Sequence, residues 1–285
     1  MALSIASRSK INLYLKTLRR RPDRYHEIET LFLPLDVPAD RISLDFVDVP
    51  GIRVTSSLPG LPENLENLAG RAALAYSDMA GIPAAWSIRI EKAIPVAAGM
   101  GGGSSNAAAV LRLLNDHYGK LSEKDLAALA VTLGADVPFF LQNRPAIATG
   151  IGEIFRYPAG ELVAPPILVV NPHFPVSSKW AYCNIAPERI GADRSGRLDR
   201  LVEALRSNDP KGIAENLHND LAFALYKKFP LLSLLRDFML EHGALNAEIT
   251  GSGPSLFAVC PTAESRALLA HAVADAFESV SVFEN

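Results

Sequence analysis

Residues 95–106 read Pro95-Val96-Ala97-Ala98-Gly99-Met100-Gly101-Gly102-Gly103-Ser104-Ser105-Asn106. Four glycines fall within five positions. Glycine reaches positive φ and has no side chain, so its backbone N–H groups can close around an anion. Ser104, Ser105 and Asn106, residue types that cap helices, come next. Ala107, Val110, Leu111, Leu114 and Tyr118 then recur at helical spacing. A glycine loop feeding a helix N-terminus suits phosphate, because unspent N–H groups and the positive end of the dipole face the ligand. The stretch is not the lysine-containing loop of P-loop nucleotidases, because Gly103 precedes Ser104. It is not a dinucleotide fingerprint either, because Ser104 stands where the third glycine would fall.

A second set of candidates lies near the N-terminus. Residues 10–18 alternate, with Ile11, Leu13 and Leu15 on one face and Lys10, Asn12, Tyr14 and Lys16 on the other. A charged turn around Pro22-Asp23 leads into Tyr25-His26 and a second strand-like run, Ile28 to Leu35. Strand, turn and strand read as a hairpin that returns Tyr25 and His26 toward Lys10 and Asn12. An aromatic beside a histidine, opposite lysine and asparagine, suits stacking on a planar ring with hydrogen bonds to its edge. Lys16, Arg19, Arg20, Arg21 and Arg24 form the basic concentration of the chain. It reads as a solvated turn or as a flank for an anionic ligand. Asp136 stands between a helix stop at Gly134 and the apolar run Val137-Pro-Phe-Phe. It reads as a cap or turn residue, or as a carboxylate held in a dry pocket beside a cation.

These groups need a scaffold. The chain has 285 residues, with 49% hydrophobic and 21% charged, enough for one large domain or two ordinary ones. A net charge of −3 announces no nucleic-acid face. Cys183 and Cys260 lack metal-ligand spacing and fit a reduced, cytoplasmic protein. The N-terminus has no secretory apolar region, and no apolar run approaches a membrane span. Residues 42–46 and 85–91 alternate as strands, the latter running into Lys92 and the glycine loop. Residues 47–63 read as loop or edge. Asn67 caps a helix through Ala80, and Ser122 with Asp125 starts another. Pro158, Gly160, Pro165 and Pro166 mark a domain boundary, giving domains 1–158 and 159–285. Ile167 to Val170 is a buried-type strand, and residues 171–195 are loop-rich with Phe174, Trp180 and Tyr182. Helices follow at 198–207, 211–226, 231–242 and 263–277. Thr250-Gly-Ser-Gly-Pro links two strands, as a tight turn or an anion site, and residues 280–283 form a terminal strand.

Together these stretches resemble the GHMP kinase superfamily. Lys10-Ile-Asn-Leu is similar to its N-terminal motif, Pro95 to Ser105 to its phosphate motif, and Thr250-Gly-Ser-Gly-Pro to its third. Within it, Arg21-Pro-Asp-Arg-Tyr25-His26, Gly101-Gly-Gly-Ser-Ser-Asn106 and Gly134-Ala-Asp136-Val-Pro-Phe-Phe resemble the members that phosphorylate a cytidylated methylerythritol alcohol. The resemblance implies an α+β fold of two domains, an N-terminal one like ribosomal protein S5 and a C-terminal ferredoxin-like one. It implies Lys10 and Asp136 as catalytic pair and Pro95 to Ser105 as the ATP phosphate loop, with Asn67 and Lys92 near the adenine. Asn12, Tyr25, His26 and Tyr182 would hold the cytidyl substrate, with Phe174 and Trp180 competing for the last place. ATP is the implied co-substrate, with Mg2+ bridging its phosphates near Ser104 or Ser105, and no nucleic-acid or membrane partner is implied. A homoserine- or mevalonate-type kinase, or a ligand-binding member without catalysis, stays open. Two positions depart from the family pattern. Arg8-Ser9 stands where Pro-Ala is usual before the lysine, and Arg24 where Gly is usual before Tyr-His.

Overall fold

The structure, a computed structural model, describes residues 3–192 and 196–285. The chain divides into two compact units. One gathers Met1–Ser9, Pro38–Ile94 and Gly101–Arg144; the other gathers Lys10–Val37, Pro95–Met100 and Pro145–Asn285. Two long strands, β1 (Leu3–Arg20) and β2 (His26–Phe46), contribute residues to both.

In the first unit, Arg41 to Phe46 of β2 pairs antiparallel with β4 (Ala85–Glu91). On its other edge β4 takes β3 (Gly51–Ser56) in parallel. Period-2 alternation does the work: Ile42, Leu44, Trp86, Ile88 and Ile90 are all buried. Helices α1 (Leu68–Ala80), α2 (Gly102–Tyr118), α3 (Glu123–Leu133) and α4 (Val137–Gln142) complete the unit. α1 and α2 pack through small side chains, Ala69, Ala72 and Ala73 facing a helix rich in Ala107, Ala108 and Val110. Two buried polar groups fix the register: Tyr76 donates to Asn115 at 3.0 Å, and Trp86 Nε1 donates to Ser77 at 3.0 Å.

In the second unit, Thr30 to Phe32 of β2 pairs with β5 (Ala146–Thr149), which carries β6 (Ile154–Arg156). β1 takes β8 (His218–Asn219) in parallel. A second, antiparallel sheet has the order β11 (Ser281–Glu284), β7 (Ile167–Asn171), β10 (Leu256–Val259), β9 (Asn246–Ile249). Its helices are α5 (Ser178–Cys183), α6 (Arg197–Arg206), α7 (Pro210–Asn216), α8 (Ala222–Lys228), α9 (Pro230–Glu241) and α10 (Ala263–Ala276). All five β7 residues are buried. Leu232, Leu235, Met239, Leu269 and Val273 join β7 and β10 in one core.

Four sequence readings need correction. Ser104, Ser105 and Asn106 do not cap α2. The helix begins at Gly102, and Gly101 holds the preceding position at φ 73, where glycine is unstrained. The runs 28–35 and 42–46 belong to the single strand β2. The helix expected over 211–226 is two, separated by β8, because Pro210 starts α7 and the chain must turn outward to pair with β1. The loop-rich stretch 171–195 contains α5 and a 3-10 turn at Pro187–Arg189, and its residues 193–195 lie outside the described residues. Residues 47–63 do supply an edge strand, β3.

Candidate active site

The phosphate-loop candidate ends as an uncapped helix. The residue before α2 is Gly101, which has no side chain to cap the first turn, and the first intrahelical bond runs from Ser105 N–H to Gly101 O at 2.9 Å. The N–H groups of Gly102, Gly103 and Ser104 therefore have no acceptor within the helix. A methyl group at Gly103 would meet nothing within 4 Å, so the helix is open at that position, whereas one at Gly102 would meet Ile94 Cγ2 at 3.1 Å and Lys92 Nζ at 3.2 Å. This arrangement suits an anion. Ser105 turns inward instead: the Ser7 hydroxyl donates to Asn106 Oδ1 at 2.7 Å and shares a hydroxyl–hydroxyl hydrogen bond with Ser105 Oγ at 2.7 Å, and all three residues are buried. Of the two serines, Ser104 is the one left at the mouth.

Earlier in the loop, Pro95 to Met100 packs in the second unit, with Val96 exposed and Ala98 and Met100 buried. Ala97 (φ 52) and Gly99 (φ 76) both take the left-handed conformation. A Cβ on Gly99 would lie 2.3 Å from Thr250 O, so only glycine lets the loop reach the Thr250–Gly253 segment. That segment is itself a tight turn, Gly253 N–H donating to Thr250 O at 2.9 Å. Asn219 braces it by donating to Ile249 O and Gly251 O at 2.7 and 2.9 Å.

Lys10 joins these stretches. Its Nζ donates to Asn12 Oδ1 at 2.7 Å and to Gly99 O at 3.0 Å, and lies 4.9 Å from the centre of the Phe32 ring. Asn12 Nδ2 donates to Thr30 Oγ1 at 2.8 Å, and its N–H donates to Thr250 Oγ1 at 3.0 Å. The Lys10 residue is 5% exposed and Asn12 2%. These oxygens fix the position of a buried ammonium, a group suited to meeting an anion. Asn12 thus has a task the sequence did not reveal: it orients Lys10. Thr30 and Thr250 were missed for the same purpose, because a buried threonine carries no signal until its partner is known.

At the far end of β2, the His26 and Tyr182 rings stack at 5.6 Å between centres and 21° between planes. Among the three competing aromatics, Phe174 and Trp180 pack on Phe229 in the core, and Tyr182 reaches His26. Tyr25 is 62% exposed. Burial first, then the positive charge of Arg20, holds the His26 imidazole below its ordinary value. Neutral imidazole offers one donor and one acceptor, which suits the edge of a base. Arg24, where the family usually has glycine, sits at φ 70, the left-handed region glycine enters freely.

The remaining candidates lie in the first unit. Asp136 precedes α4 but does not cap it, so its carboxylate is not spent on the helix. Asn67 caps α1 through Ala69 N–H at 3.0 Å. A cavity of about 760 Å³, lined by Gly51, Ile52, Glu63 to Glu66, Leu74 and Ala84, ends one residue before it. Lys92 is buried in an ion pair with Asp40 at 2.8 Å, and Asp40 also accepts from Ala93 and Ile94 N–H at 2.8 Å. That cluster anchors the chain as it leaves β4 and was not legible in the sequence. The other departure, Ser9, is fully buried, and among the described residues its hydroxyl has no hydrogen-bond partner.

Residues 67–144 match the GHMP kinases N terminal domain and residues 201–279 the GHMP kinases C terminal domain. Relatives named 4-diphosphocytidyl-2-C-methyl-D-erythritol kinase include one from Geobacter sulfurreducens, 39% identical over 90% of this chain and 89% of its own. One from Syntrophotalea carbinolica is 42% identical over 90% of this chain and 89% of its own. A crystal structure of 4-(cytidine 5'-diphospho)-2C-methyl-D-erythritol kinase superposes with a TM-score of 0.84 at 35% identity, covering 99% of this chain and 98% of that one. The expected α+β fold agrees with these neighbours. Among the described residues, no helix is long and apolar enough to cross a membrane.

Proposed function

The chain belongs to the GHMP kinase family, and from that membership we propose that it transfers the γ-phosphoryl group of ATP to the 2-hydroxyl of 4-diphosphocytidyl-2-C-methyl-D-erythritol. The products are the 2-phosphate and ADP, and the step belongs to non-mevalonate isoprenoid synthesis. The observation that carries this reading, beyond the relatives, is the stacked His26–Tyr182 pair beside exposed Tyr25. Homoserine and mevalonate have no base to stack on such rings.

Phosphoryl transfer asks for positioning and charge stabilisation more than covalent chemistry. In our reading the uncapped α2 N-terminus receives ATP phosphates through the N–H groups of Gly102, Gly103 and Ser104. Lys10, oriented by Asn12, offsets charge on the transferring group. Asp136 orients the acceptor hydroxyl and takes its proton. Asn67 is placed near the adenine by the family resemblance alone; its side chain caps α1 and donates to Pro62 O at 2.9 Å. Lys92, already paired with Asp40, is assigned to holding the loop entrance. Among the described residues no group of three His, Cys, Asp or Glu side chains is placed to hold a metal. Mg2+ would neutralise phosphate charge, and Ser104, at the mouth of α2, would help to hold it. We further propose domains 1–158 and 159–285, supported by one family match inside each, and a cytoplasmic site of action, supported by two free cysteines.

ADP release from the purified chain, measured with the cytidyl substrate against homoserine and mevalonate, tests the assignment. Turnover is expected with the first alone. Asp136→Asn and Lys10→Ala are each expected to cut turnover by orders of magnitude with the fold intact by circular dichroism. Near-normal turnover in either variant sinks the catalytic assignment. ATP binding without release for any acceptor favours a non-catalytic member of the fold.

A further inference from the structure

The hairpin tip between β1 and β2 carries more positive charge than its own ion pairs use. Arg19 is paired with Glu27, and Arg21 with Asp23 at 2.9 Å. Arg20 is exposed, and among the described residues no carboxylate pairs with it. The register explains the difference. Arg21 N–H donates to Tyr25 O at 2.8 Å and closes the turn, so Arg20 and His26 leave it opposite one another. The Arg19–Glu27 pair falls on the next rung and therefore on the other face. Arg20 stands on the same face as His26, as its effect on the imidazole independently indicates.

Along β2, His26 and Thr30 share a face, four residues or about 13 Å apart. Thr30 is tied through Asn12 to Lys10. The His26–Tyr182 aromatic pair and the Lys10 ammonium are thus separated by a short span, and a nucleoside diphosphate joined to its acceptor alcohol must cross that span with two phosphates. Arginine suits them, because its planar fork matches phosphate oxygens two at a time. Resting on the cytidyl-kinase reading, we propose that Arg20 is a specificity-determining residue that binds the diphosphate bridge of the acceptor substrate. It distinguishes a cytidine diphosphate from an unphosphorylated cytidine at the His26 end of the site.

The test uses the full chain with Arg20→Ala and Arg20→Lys. Affinities for CDP, CMP and cytidine are measured as competitive inhibition constants, alongside KM and kcat for the cytidyl substrate. In Arg20→Ala, the preference for CDP over cytidine is expected to fall tenfold or more, with cytidine affinity held within twofold. The loss is expected to fall on KM rather than kcat. Arg20→Lys keeps the charge without the fork and is expected to recover part of the preference. An unchanged ratio of CDP to cytidine affinity in Arg20→Ala overturns the inference. So does an equal loss for both ligands, which marks a merely structural role. Wild-type protein that turns over the cytidyl substrate while Arg20→Ala keeps its ratio overturns this inference alone; wild-type protein that binds no CDP overturns the function as well.

Discussion

Gly103→Ala separates what the glycine loop does for the fold from what it does for a ligand. Gly103 is the second residue of α2, and an added methyl meets nothing within 4 Å. Replacing a helical glycine by alanine in open space stabilises by roughly 0.5–1 kcal/mol, chiefly by restricting the unfolded chain. A helical Cα–Cβ bond tilts toward the N-terminus, so the new methyl points into the mouth of α2. If phosphate oxygens approach the N–H groups there, the methyl obstructs at least one charge-assisted hydrogen bond, about 1.5–3 kcal/mol. At 1.4 kcal/mol per tenfold, the KM for ATP should rise between roughly tenfold and a hundredfold. The KM for the acceptor should stay put. Urea unfolding and steady-state kinetics on the same preparation give both numbers. A variant that is more stable but binds ATP within twofold of normal refutes a phosphate at this helix end. One that loses more than about 1 kcal/mol refutes the claim of open space.

Gly99→Ala is the contrasting case: left-handed φ and a 2.3 Å approach to Thr250 O should cost about 2–4 kcal/mol in urea unfolding. A loss below about 1 kcal/mol would mean the loop shifts freely. Ser9→Ala removes a buried hydroxyl with no partner among the described residues and should stabilise by roughly 1 kcal/mol; a destabilised variant would reveal a partner. Burial pushes the Glu248 carboxyl up to about 7, against hydrogen bonds from Ile249 N–H and Tyr226 that favour its charged form. A raised carboxyl pKa in the folded state gives stability that is full below the ordinary value and fades as pH rises through about 7. Glu248→Gln should therefore flatten the stability profile between pH 5 and 8, on the order of 2 kcal/mol. Parallel profiles for the two proteins would show that this carboxyl is not the source.

What the sequence made legible was local. Asn67 and Ser122 cap α1 and α3 as their types and positions required, accepting from Ala69 and Asp125 N–H. Alternation located β4 and the Arg41 to Phe46 part of β2 because each buries one face. The same local reasoning failed at α2: Ser104 to Asn106 look like caps, yet the glycine pair ahead of them already begins the helix. β8 has two residues, too few to show any period, so its interruption of a helical pattern is invisible before β1 is there to pair with it. β5 begins and alternates with alanines, which favour no strand.

The candidate site divides along the same line. Lys10, Gly99, His26 and Asp136 stood out because their chemistry or their spacing is unusual where they occur. The contacts that support them did not stand out. Asn12 and Thr250 meet across 238 residues, Ser7 and Asn106 across 99, Asp40 and Lys92 across 52. The pattern has a physical origin. A buried ammonium such as Lys10 needs several oxygen acceptors fixed at once, and no short stretch of strand supplies them all. They must arrive from segments that the fold alone brings together. Asn12 shows the consequence most directly. Read in the sequence as a contact for the substrate, it spends its carbonyl on Lys10, its amide on Thr30 and its backbone N–H on Thr250. A substitution there should act on kcat through the position of Lys10 before it acts on affinity for a base.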